Sequence, residues 1–181
     1  MSFILQKLCA PLRYLKITHR EKTFFDYVLP AIATAIFLAV NQYLLPKPLL
    51  FLGEKSIVSI VNGILQMLSG FYIASLAAVA TFNRPEIDEQ MLNAPTLNNI
   101  PVTRRLFLTH LFGYLAFTSI MLYFIGGFAQ IASSNIIQLE RFEYYNIICW
   151  VAQSLYIFSI FNLIFVTLLG LYFMIDRIHQ N

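Results

Sequence analysis

The chain has 181 residues, 59% of them hydrophobic and 12% charged, with a net charge of +3. Soluble domains carry about 25% charged residues. A mean hydropathy of +0.69 therefore excludes a water-soluble core and leaves one small membrane domain, residues 1–181. The 17 Phe and 10 Tyr suit a lipid-facing surface with aromatic belts at its two edges.

Residues 1–26 come first. "SFILQKLCAPLRYLKITHREKTFF" mixes Leu, Ile and Phe with Lys7, Arg13, Lys16, Arg20 and Lys22. It reads as an interfacial amphipathic segment, apolar side in the headgroups and basic side towards anionic lipid. Pro11 limits it to two short helical pieces. The plain alternative is a positive anchor on the inner side of a membrane. The stretch is too short and interrupted for a cleaved signal, and no small-residue cleavage site closes it.

Four apolar runs follow, each long enough for a hydrocarbon core of about 30 Å, which needs about 20 helical residues. They are 27–45, 56–82, 106–132 and 145–175. Pro30 is expected in the first turn of the first span, where a missing N–H costs little. Pro46, Lys47 and Pro48 stop that span. The runs are apolar on all sides, which excludes the alternation of a membrane β-barrel. The expected fold is an all-α integral membrane protein, a four-transmembrane-helix bundle.

Orientation follows from Lys and Arg. One side carries nine: Lys7, Arg13, Lys16, Arg20, Lys22, Arg84, Arg104, Arg105 and Arg177. The other carries three: Lys47, Lys55 and Arg141. Both termini and the central loop are therefore expected in the cytoplasm. Cys9 and Cys149 fall on opposite sides in this arrangement, so no disulfide between them is expected.

No catalytic residues, metal ligands or cofactor motifs are expected. Asp26, Glu143 and Asp176 stand at span borders, and the span interiors read as free of charge. His110 lies about one turn inside the third span and reads as structural or interfacial. The order of residues offers no nucleophile, no HExxH and no phosphate loop, so the protein is not expected to be an enzyme.

The spans do hold uncharged polarity. Ser59, Asn62 or Gly63, Gln66, Gly70, Ala74, Ala77 and Thr81 share one face of span two. Gln130 in span three and Gln153 and Asn162 in span four add amides. Small residues let helices approach, and amides then bond between them. These faces serve packing within the bundle, an oligomer seam or a water-filled passage. Asn62 and Gln66 are the expected buried polar pair.

The connection 83–105, "NRPEIDEQMLNAPTLNNIPVTRR", is long for a join between two helices. Pro85, Pro95 and Pro101 predict extended or turning backbone from Glu86 to Asn99, with a short helix over "PEIDEQML". Glu86, Asp88 and Glu89 would be repelled by an anionic leaflet and favour the cytosol. With Arg84, Arg104 and Arg105 they form a candidate surface for a basic cytosolic protein. The plain alternative is a solvated loop in which Arg84 pairs with its own carboxylates.

Four spans, a basic N-terminal segment and an Ala-rich second span running through "AAVATFNRPEID" into an acidic loop resemble the KwaA family, the membrane subunits of the Kiwa anti-phage defence system. The layout covers nearly the whole chain, and the residue-level likeness lies between Leu76 and Arg105. The resemblance implies a bacterial inner-membrane protein that forms a homo-oligomer, a tetramer, and senses infection at the envelope. It implies a cytosolic DNA-binding effector, KwaB, as partner, and no direct contact of this chain with nucleic acid. The rival reading is a holin-like or abortive-infection protein that forms a pore and depolarises the membrane.

Overall fold

The computed structural model of the chain describes residues 4, 7–81, 87–88, 95–98, 100–134 and 144–178, the last three by backbone alone. Among the described residues four helices are long and apolar enough to cross a membrane: α1 (Arg20–Leu44), α2 (Ile57–Thr81), α3 (Arg104–Ile131) and α4 (Tyr145–Ile178). A 3-10 segment, Ala10–Lys16, precedes α1.

Helix α1 starts at Arg20, about two turns before the expected border at Tyr27. Glu21 suits the positive end of the helix dipole, and Lys22 and Asp26 pair at the i, i+4 spacing. Pro30 consequently falls in the third turn, where its missing N–H and its ring disturb the ladder. The helix absorbs this by widening to π geometry over Phe24–Val28. It ends at Leu45, held extended ahead of Pro46.

Helix α3 is the centre of the bundle. Of its most apolar stretch 44% is buried, against 17% for α1 and for α2. Thr103 caps it, its hydroxyl accepting the Leu106 N–H at 3.3 Å. Helix α2 packs along α3, and α4 packs on both α1 and α3. Val58, Leu65, Tyr72 and Val79 are the buried side of α2, one residue in seven. Gly170 of α4 lets Leu111 of α3 come close, since a Cβ there would meet Leu111 Cδ2 at 2.9 Å.

Three two-residue strands join distant parts of the chain at one end of the bundle. β1 (Ile17–Thr18), β2 (Thr96–Leu97) and β3 (Ile100–Pro101) form an antiparallel sheet in that order. Ile17 faces Leu97, and Leu97 faces Ile100. Asn98 takes a left-handed φ of 52° in the hairpin turn, a conformation that asparagine accepts more readily than most residues. The sheet agrees with the extended and turning backbone expected there. The short helix expected over 85–92 lies largely outside the described residues.

Candidate functional site

A polar cluster lies at the end of the bundle that carries the sheet. Its centre is Asp26, fully buried, and Lys22, 4% exposed. The Lys22 ammonium donates to Asp26 Oδ2 and sits 4.0 Å from the centre of the Tyr14 ring. The Tyr14 hydroxyl donates to Asp26 Oδ1 at 2.9 Å. Burial, then the charge of Asp26, raises the Tyr14 pKa, so the phenol stays a donor at neutral pH.

Asn162 of α4 extends the cluster. Pro30 has no N–H for the carbonyl four residues before it, that of Asp26. Asn162 Nδ2 donates to that carbonyl at 2.7 Å. Its Oδ1 accepts the Tyr114 hydroxyl of α3 at 2.7 Å. The Tyr14 and Tyr114 rings stack with centres 4.9 Å apart. One cluster thus fastens the N-terminal segment to α1, α3 and α4. A buried ion pair holds only where further hydrogen bonds complete it, and Tyr14 supplies one here.

Arg105 makes the second junction. Its Nε and Nη2 donate to Asp88 Oδ1 and Oδ2 at 2.6 and 3.0 Å, and Nη1 donates to the Val79 carbonyl at 3.2 Å. The fork geometry suits a carboxylate. It also takes up one of the open carbonyls near the end of α2. The Arg105 hydrogen bonds hold the Asp88 carboxyl below the usual carboxylate range.

The structure distributes the sequence candidates unevenly. The sequence puts Lys22 at the membrane surface beside Lys7, Arg13, Lys16 and Arg20; it is instead buried, because Asp26 and Tyr14 solvate its ammonium in place of water. The other four are exposed. Asp88 and Arg105 come together, and Arg104 is half-buried beside them in sequence. Arg84, Glu86 and Glu89 lie outside the described residues.

Asn62 and Gln66 do not form a buried pair. Gln66 and Gly70 face outward with the rest of the small-residue stripe. Asn62 is half-buried, its Oδ1 turned to Gly126 of α3, where a Cβ would meet it at 2.7 Å and the Tyr156 hydroxyl at 3.0 Å. Neither Asn62 Oδ1 nor the Tyr156 hydroxyl has a hydrogen-bond partner among the described residues. Gln130 clasps the loop before α2: its Oε1 accepts the Gly53 N–H at 3.3 Å and its Nε2 donates to the Gly53 carbonyl. Gln153 is half-buried on α4, and His110 is half-buried on α3.

Sequence reasoning missed Asp26 and Tyr14. The i, i+4 spacing of Lys22 and Asp26 and a proline four residues beyond were the signals. Among the described residues no three His, Cys, Asp or Glu side chains gather as a metal site. The cluster holds helices together, and its one carboxylate is already bonded on both oxygens.

No protein family, no curated protein and no solved structure matches the chain. What the fold and the cluster define is a class: a multi-pass, all-α membrane protein with four membrane-length helices.

Proposed function

We propose that the chain is a non-enzymatic membrane scaffold and sensor, oriented with both ends in the cytosol, that self-associates and recruits a soluble effector through the 83–105 connection. The observation that carries this is Arg105. Its guanidinium bonds the end of α2 and the Asp88 carboxylate of the connection, and the residue itself belongs to the first turn of α3. A change in how α2 and α3 pack therefore moves the connection. The sheet extends the coupling, because β1 joins the same connection to the Lys22–Asp26 cluster and so to α1 and α4. Two packings separated by a few kcal/mol would suffice for a switch.

Self-association is assigned to the outward face of α2. A Cβ added at Gly63 or Gly70 would meet nothing within 4 Å, and Gln66 lies between them. A second copy brings a second Gln66, and two amides satisfy each other in lipid. The likeness to the Kiwa membrane subunits supports the same reading. It suggests a tetramer in a bacterial inner membrane and a KwaB-type effector.

The test is co-purification of the full chain with a KwaB-type effector in mild detergent. Glu86→Lys with Glu89→Lys should abolish retention while expression and assembly stay normal. Asp88 is left intact, since reversing it would also break the Arg105 junction. Undiminished retention would remove the docking reading. Rapid depolarisation of cells expressing the chain alone would favour the pore instead.

A further inference from the structure

From Arg13 to Lys22 the Lys and Arg of the N-terminal segment divide into two groups. Lys22 is consumed by Asp26. Arg13, Lys16 and Arg20 are exposed and have no hydrogen bond or ion pair among the described residues. Their positions are nonetheless fixed. Tyr14, next to Arg13, is fully buried, with its ring 6.2 Å from Phe107 and 4.9 Å from Tyr114. Ile17, next to Lys16, is 3% exposed and paired in the sheet. Arg20 opens α1.

That anchoring sets a depth. At 1.5 Å per residue, Phe107 and Tyr114 lie about 4.5 and 15 Å along α3 from Arg104. A helix of 28 residues is about 42 Å long, against a hydrocarbon core of about 30 Å. The first turn or two of α3 therefore stands among headgroups. The segment Ala10–Lys16, whose Tyr14 ring lies against both Phe107 and Tyr114, runs beside the first three turns of α3, from the headgroup level to the outer acyl chains. His110, on the same stretch of α3, lies within electrostatic reach of Arg13. Large apolar side chains are exposed along the same stretch: Leu8, Leu15, Phe24 and Val28.

We propose that Arg13, Lys16 and Arg20 form a binding surface for anionic phospholipid headgroups, with Leu8, Leu15, Phe24 and Val28 against the acyl chains. A phosphate supplies the negative charge that these three cations lack within the described chain. An acidic soluble protein would match the cations and leave the apolar flank in water, whereas a lipid covers both. The inference rests on the orientation proposed above and is independent of the effector. Loss of effector retention would leave it standing.

The test uses the full chain, delipidated in detergent and titrated with phosphatidylglycerol or phosphatidylcholine, with binding read by native mass spectrometry. Phosphatidylglycerol should bind more tightly. The triple variant R13Q/K16Q/R20Q should weaken that binding about a hundredfold and each single variant about fivefold, since each cation near an anionic surface counts about equally. The single variants carry the test if the triple variant fails to fold. K47Q/K55Q, at the opposite end, should bind as the parent does. Equal affinity for phosphatidylcholine, unchanged binding by the single and triple variants, or equal loss in K47Q/K55Q would overturn the proposal. So would displacement of the lipid by millimolar inorganic phosphate or by polyglutamate, which would mark a free-anion site or a protein surface.

Discussion

Asp26→Asn removes the charge that faces Lys22 while keeping the shape of the side chain. Breaking one side of a buried ion pair costs about 3–5 kcal/mol, because the other charge stays desolvated. The lower end applies here. An asparagine still accepts the Tyr14 hydroxyl now 2.9 Å from Oδ1, and the Lys22 ammonium keeps the Tyr14 ring at 4.0 Å. The expected loss is thus about 3 kcal/mol, or about 6–12 °C in melting temperature for a chain of this size. Removing both charges, as in Lys22→Met with Asp26→Asn, should return stability to within about 1 kcal/mol of the parent, since no unpaired charge remains. Circular dichroism of thermal unfolding in detergent reads all three proteins. A loss below about 0.5 kcal/mol in the single variant, or a double variant as unstable as the single, would refute the assignment of Lys22 and Asp26 as a buried, interdependent pair.

Asn162→Leu should destabilise by about 1–3 kcal/mol, since it leaves the Asp26 carbonyl without its side-chain donor and takes away the Asn162 acceptor of the Tyr114 hydroxyl. Pro30→Ala added to it should recover part of that loss, because alanine supplies the missing helical N–H; the same melting assay decides, and no recovery would detach Pro30 from the role of Asn162. Gln66→Leu should shift the purified complex towards monomer in light scattering, whereas Gln153→Leu should not; an unchanged mass for Gln66→Leu would exclude the α2 face as the seam. The Asp88–Arg105 junction has a defined pH dependence. The carboxyl is held below its ordinary 3.8, so its contribution is complete above that pH and fades as pH falls through the lower, folded value. The Arg105 Nε–H resonance should therefore titrate with a midpoint below 3.8, and a midpoint at or above it would contradict the junction.

The four spans were legible because apolar runs of this length have few alternatives in a chain this poor in charge. Span borders were less so. Hydropathy placed the first at Tyr27, since Lys22 and Asp26 count against a span when taken singly. Together they form a neutral pair that a helix can bury, and α1 starts at Arg20. Asn162 stands out in the sequence as an intramembrane amide, yet its partner does not, because the need arises from Pro30 on another helix. On α2 the small-residue stripe is legible as a face, but its direction is not. The large residues Val58, Leu65, Tyr72 and Val79, seven apart, point inward and turn Gln66 and Gly70 out. The prolines announce extended backbone near Thr96, but nothing local announces its partner, since the sheet pairs Ile17 with Leu97 across 80 positions of sequence.

The central claim is that the hairpin and the Arg105 junction face the cytosol. Asn98→Cys, in a chain whose Cys9 and Cys149 are replaced by serine, places one thiol at the exposed hairpin turn. A membrane-impermeant maleimide should leave it unlabelled in intact spheroplasts and label it fully once the membrane is opened. Full labelling of intact spheroplasts would put the hairpin outside, out of reach of any cytosolic effector.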